Sequence, residues 1–259
     1  MADNNIEIDF EPTTKENKKK PSLTNSNDLK PEFNYMDLAK KCTAELMGTM
    51  FLCLTVALSV GMGRDNAPLG IGLSLGCLVF ALGHISGANF NPAVTLAILL
   101  RGRLDPISPY MTAIAYIMAQ FAGGLLGGGV ARFVVEDWCQ NKNVTIIGRS
   151  CVSGMPAPDP NVEWFTAFLV ETVFTMGLAL VVLNVAVSDA NDGNSFYGLA
   201  IGLAVTFSAI AGGGVSGGAF NPAVGLCLPL VNGITDDIAL YLLGPFCGGA
   251  LAALFFRFT

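Results

Sequence analysis

The chain has 259 residues, of which 52% are hydrophobic and only 13% charged, with a formal net charge of −6. A water-soluble domain carries about 25% charged residues, so this balance excludes an ordinary soluble globular protein. The acidic net charge says little more, because Asp and Glu contribute weakly to membrane topology.

In chain order, residues 1–34 come first. They open "MADNNIEIDFEPTTKENKKK" and are polar, mixed in charge and without apolar period. Such a segment cannot bury enough surface to fold, so a disordered tail is expected. It has no signal-peptide apolar stretch. Its hydroxyls (Thr13, Thr14, Ser22, Thr24, Ser26) are ordinary for a flexible segment. From residue 35 to 259 a single membrane domain is expected. Apolar stretches lie at about 42–62, 67–84, 108–133, 164–187, 197–212 and 238–257. A membrane helix needs roughly 20 such residues, so six spans are predicted. The second and fifth are short and interrupted by glycine. "GHISGANFNPAV" (83–94) follows the second span, and "GGVSGGAFNPAV" (213–224) follows the fifth.

In each box Asn is a preferred helix N-cap, and Pro is favoured at the first helical position, where its missing N–H would be unpaired anyway. Asn91, Pro92 and Ala93 therefore start a helix over 91–100, and Asn221, Pro222 and Ala223 start one over 221–230. About ten residues at 1.5 Å each cover roughly half the hydrocarbon thickness. These are half-helices. The extended backbone leading into them is tolerated at membrane depth only when buried in protein or lining a watery cavity.

The halves of the chain correspond, about 35–133 with about 164–258. Glu45, Thr49 and Met50 match Glu171, Thr175 and Met176, and Ile71-Gly72-Leu73 matches Ile201-Gly202-Leu203. Phe121, Gly123 and Gly124 match Phe246, Gly248 and Gly249. Three spans per half is an odd number, so the second copy is inverted in the membrane, a plan that puts a transport site where the halves meet. Lys15, Lys18, Lys19, Lys20, Lys30, Lys40, Lys41, Arg101, Arg103 and Arg257 fall on one side, against Arg64, Arg132, Lys142 and Arg149 on the other. Basic residues stay cytoplasmic, so both termini are expected inside.

Two Asn-Pro-Ala boxes in inverted three-span repeats resemble the aquaporin, or major intrinsic protein, family over residues 42–258. The resemblance implies an all-α integral membrane protein of six spans plus two half-helices. It also implies a homotetramer, each protomer holding a pore for water or small neutral solutes. Asn91 and Asn221 would meet mid-pore and donate to the passing molecule. The carbonyls of Gly83, His84, Ile85, Gly213, Gly214 and Val215 would lead inward as an acceptor ladder. By the resemblance the outer constriction falls on Ile71, Ala209, Gly218 and Val224. Here the sequence departs from the family: Val224 stands where most members have Arg, and Gly225 where glycerol channels have Asp. Water-only and glycerol-type selectivity both stay open. So does the membrane, whether plasma membrane or an intracellular vesicle or vacuole.

Glu45 and Glu171, carboxylates within apolar spans, are functional candidates by their cost alone. One reading is a proton relay; the other is that each accepts the N–H groups of its half's broken loop. His84, the single histidine, reads either as a pH sensor or as a partner of backbone. The glycines Gly123, Gly124, Gly127, Gly128, Gly244, Gly248 and Gly249 suit close helix packing. Cys42, Cys53, Cys77, Cys227 and Cys247 read as small packing residues. In the 134–163 loop a bridge between Cys139 and Cys151 and a glycan on Asn143 are both open. Three functions remain: a passive channel, a poorly conducting structural or adhesive protein, and a proton-coupled carrier. No enzyme is expected, since one histidine and no catalytic constellation leave nothing to run chemistry. No cofactor, metal or nucleic-acid partner is expected either. The partners are lipid, water and small neutral solutes.

Overall fold

A computed structural model of the chain describes residues 33–142 and 153–257, residues 139–142 by their backbone alone. Among the described residues every regular element is helical. Six helices are long and apolar enough to cross a bilayer: α1 (Tyr35–Gly61), α2 (Ala67–Ser86), α4 (Pro109–Lys142), α5 (Trp164–Val182), α6 (Tyr197–Ser216) and α8 (Ile238–Phe255). Two more, α3 (Pro92–Arg101) and α7 (Pro222–Val231), are ten residues each. The fold is thus the one the repeat implies, six spans and two half-helices.

Local chemistry sets where the helices begin and end. α1 starts at Tyr35 rather than at residue 42, because the Asn34 side chain accepts hydrogen bonds from the Met36 and Asp37 N–H groups and so caps a polar first turn. α5 ends in a π-helical turn, Leu183–Val187, followed by a short 3₁₀ turn, Asp189–Asn191. Gly102, at φ 76°, closes α3 and donates to the Ile98 and Leu99 carbonyls.

Packing follows the repeat. The most extensive contacts pair α1 with α4, α5 with α8, and α2 with α6. The first two pairs are copies of one another, while α2 and α6 cross on the pseudo-twofold axis. At that crossing a Cβ on Gly72 would lie 2.4 Å from the Gly202 carbonyl oxygen, and one on Gly76 2.9 Å from that of Gly198. Backbone meets backbone there. Gly123 and Gly127 of α4 similarly abut α1 at the Leu46 and Met50 carbonyls, and Gly248 of α8 abuts α5 at Thr172. Close approach through small residues is how helices associate where lipid removes the hydrophobic drive. Cys53 and Cys227 are buried as packing residues, but Cys77 and Cys247 are exposed on outer helix faces, where an apolar span needs no partner. The outward faces carry exposed side chains such as Ile114, Met118 and Ile210.

Candidate functional site

The two breaks are short. α2 and α6 run on through the glycine-rich segments and stop at left-handed Gly87 (φ 88°) and Gly217 (φ 89°). Gly83 O accepts the Gly87 N–H at 2.9 Å, and Gly213 O accepts that of Gly217 at 3.0 Å. This corrects the expected acceptor ladder. Gly83, His84, Ile85, Gly213, Gly214 and Val215 lie in the last helical turns, and the non-helical backbone is 87–90 and 217–220. A glycine just past a helix is the ordinary C-terminal signal, so "HISG" and "VSGG" held the clue.

Both loops hold non-glycine residues at positive φ: Ala88 (52°) and Phe90 (48°) in the first, Phe220 (47°) in the second. Each such residue costs about 1–2 kcal/mol, so something must hold the loops in place. The buried carboxylates do. Glu45 Oε1 accepts from Ser86 Oγ at 2.6 Å and the Asn89 N–H at 3.0 Å, while Oε2 accepts from the Phe90 N–H at 2.7 Å and Gln120 Nε2 at 2.8 Å. Glu171 repeats the pattern: Oε1 takes Ser216 Oγ at 2.7 Å and the Ala219 N–H at 3.0 Å, and Oε2 takes the Phe220 N–H at 2.7 Å. Tyr116 and Tyr241 add hydroxyl donors to the Ser86 and Ser216 carbonyls. Every partner of each carboxylate is a donor, and neither carboxylate lines the cavity described next.

Beyond the loops stand the two asparagines. Asn91 Oδ1 accepts from the Ala93 and Val94 N–H groups, and Asn221 Oδ1 accepts from that of Ala223, capping α3 and α7. Each amide nitrogen then crosses to the opposite repeat: Asn91 Nδ2 donates to Phe220 O and Asn221 Nδ2 to Phe90 O, both at 2.9 Å. An amide has two hydrogens. The second is left for the cavity that both side chains line.

That cavity, about 270 Å³, passes the two asparagines and touches α1, α2, α3, α5, α6 and α7. Ile71, Ala209, Gly218 and Val224 all line it. So does Gly213, whereas Ile85, Gly214 and Val215 do not. Gly83 and the exposed His84 line a second cavity of about 330 Å³, where α2 ends and α6 begins, with Asp189, Asp192 and Tyr197 around it. An ion pair between Arg103 and Asp189 ties that cavity's rim to the chain after α3. Sequence reasoning missed Met155 and Pro156, which enter the central cavity from the segment before α5. The Gly154 N–H to Ala57 O (2.9 Å) and the Asp159 N–H to Val215 O (3.1 Å) hold that segment down. A loop without period gives no signal of where it folds back. Asn143, Cys151 and the Cys139 side chain lie outside the described residues, as does the 1–32 segment.

Comparison with known proteins agrees with this geometry. A family model described as "Major intrinsic protein" matches residues 32–256. Aquaporin NIP1-1 of Zea mays is 32% identical over 231 residues, covering 85% of this chain and 76% of the relative. The glycerol uptake facilitator protein-like 6 of Lactiplantibacillus plantarum is 31% identical, covering 83% of this chain and 95% of the relative. Among solved structures, the aquaglyceroporin from Plasmodium falciparum superposes with a TM-score of 0.70 at 20% identity, over 85% of this chain and 95% of its own, a likeness of fold.

Proposed function

This chain belongs to the major intrinsic protein family, and we propose accordingly that its central cavity is a passive path for water and small uncharged solutes, glycerol-sized molecules among them. One observation carries the reading. Two half-helix N-termini, each capped by an asparagine that also grips the opposite loop, meet at a cavity both asparagines line. Each N-terminus presents roughly half a positive charge. A cation meets that field without a compensating anion. A neutral dipole instead accepts a hydrogen bond from the free amide hydrogen and turns, which interrupts a proton wire.

Solute size is set at Ile71, Ala209, Gly218 and Val224. Two of these are among the smallest side chains, and none is charged, which supports an opening wider than a water-only ring. The relative from Lactiplantibacillus plantarum is by name a glycerol uptake facilitator, and that agrees. The carboxylates are read as scaffold: they accept from loop donors and stay out of the lumen, which leaves a proton-coupled carrier without a pathway. No catalytic role is assigned. Both termini are placed in the cytoplasm on the basic-residue count, in a plasma or vesicular membrane, with four copies assembled as the family resemblance implies. A second reading has one observation behind it. The outer ring is wholly apolar and Met155 leans into the same cavity, so the path could dewet and conduct poorly while the fold serves a structural role.

Swelling of vesicles carrying the protein, driven in turn by water, glycerol, urea and ammonia gradients, separates these. The channel predicts protein-dependent flux of water and at least one larger solute. Flux no faster than in protein-free vesicles for all four would refute it and leave the structural reading.

A further inference from the structure

The central cavity is more uniform than the outer ring alone suggests. Among the described residues that line it, only Asn89, Asn91 and Asn221 have polar side chains, and none of these described lining residues carries a hydroxyl or a charge. The apolar positions are related by the repeat. Ile71 pairs with Ile201, Val94 with Val224, and Leu52 with Leu178, and all six line the cavity. Val94 and Val224 hold the same place in α3 and α7, directly after their own Asn-Pro-Ala box. By the symmetry of the repeat these residues form two aliphatic collars, one on either side of the paired asparagines.

We propose that, among uncharged solutes of about glycerol's size, this pore favours those with one polar edge and an aliphatic remainder over those with hydroxyls on every side. The inference rests on the channel reading above and adds the class of cargo. Its physics is desolvation. A hydroxyl drawn out of water into an apolar passage loses its hydrogen bonds unless the wall returns them. At the midplane the amide hydrogens and loop carbonyls return them to one edge of the solute. At either collar no side chain returns one, and there a methyl group is at home while a third hydroxyl is not. Water escapes the penalty because neighbouring waters in file serve as partners. The probe pair is 1,2-propanediol against glycerol, which differ in a single hydroxyl at nearly equal size.

The test uses the full chain in proteoliposomes, with flux in protein-free vesicles subtracted for each solute, since the diol also crosses lipid. Water, glycerol and 1,2-propanediol are measured for the wild type, for Val224→Thr, and for Val94→Thr with Val224→Thr. Thr has the shape of Val and adds only a hydroxyl to the collar. The wild type is expected to carry the diol about tenfold faster than glycerol, short of the roughly hundredfold by which a closed apolar pocket rejects one added hydroxyl. The double variant should bring that ratio to within about threefold, since each new hydroxyl supplies one modest hydrogen bond; the ratio of the two solutes is read within one variant, so it does not depend on that variant's water flux. Water flux with glycerol equal to or faster than the diol would overturn the inference and leave the channel intact. So would a diol preference that neither Thr variant reduces, because the collars would then not be its source. No protein-dependent flux of water or either solute would overturn the channel reading and this inference with it.

Discussion

Asn91 and Asn221 each use one short amide in two places, a helix cap and a bridge to the opposite loop, and the proposed channel adds a third, a donor to the lumen. A carboxylate could still cap, but it could not donate across the repeat. Asn221→Asp should therefore weaken cation exclusion, because the added negative charge offsets the half-helix ends and the Phe90 carbonyl loses its partner. Patch or flux assays should show cation conductance above background; background conductance in a folded, water-permeable variant would contradict the role. Glu45 makes the complementary case. It receives four donors against the three that Glu171 receives, because Gln120 has Pro245 as its counterpart in the second repeat. Glu45→Gln puts an amide where a donor already points, so a charge-assisted bond is lost at a cost of about 2 kcal/mol. Thermal stability in detergent should fall while solute flux stays independent of a proton gradient. Gradient-driven uptake by the wild type would mean that the carboxylates do more than hold loops.

At the scale of elements, the half-helices were the most legible part, since an Asn-Pro start and about ten apolar residues specify α3 and α7 without help from the rest of the chain. The inverted repeat was equally plain, because Glu45 and Glu171 stand in matching sequence around matching apolar stretches. Other features depended on contacts that no local pattern encodes. Glycine in 83–87 and 213–218 looked like broken backbone, yet packing kept all but the last residues helical. The exchange of hydrogen bonds between Asn91 and Phe220, and between Asn221 and Phe90, joins residues 129 and 131 positions apart. Met155 reaches the lumen from a segment whose only signal is a turn. The glycines of α2 and α6 illustrate the same gap, since in sequence Gly72 and Gly214 look alike. A Cβ at Gly72 would stand 2.0 Å from Thr206 Oγ1, while one at Gly214 meets nothing within 4 Å. Gly72→Val should thus force the two central helices apart and cost at least about 1–3 kcal/mol. Gly214→Ala should be neutral or stabilising by up to about 1 kcal/mol, from helix propensity. Melting of the two purified variants side by side checks this, and equal stability would mean the α2–α6 crossing does not bear on the fold.

For the whole molecule, the distribution of charge along the path decides what crosses. A positive outer ring and a positive midplane would give a cation two barriers in series; the proposed path has the half-helix ends alone, with Val224 in place of a charged side chain in the ring. On the channel reading proposed above, ion exclusion would depend on the half-helices and on desolvation, and solute size on the space beside Ile71, Ala209, Gly218 and Val224, all of which line the cavity. Val224→Arg changes all three quantities at once. The guanidinium fills that space, offers fixed donors and adds a full charge to the outer half. Water, small and able to accept those donors, should keep most of its flux. Glycerol and urea need the width that the side chain removes, so their permeability should fall by about tenfold or more, a barrier increase of about 1.4 kcal/mol. The informative quantity is the ratio of solute to water flux in matched vesicles, because it cancels differences in protein content. A ratio unchanged by Val224→Arg would mean that the narrowest point lies elsewhere, with Met155 the next position to vary. A wild type that passes water freely yet excludes glycerol, urea and ammonia alike would mean that the ring is narrow despite its small side chains.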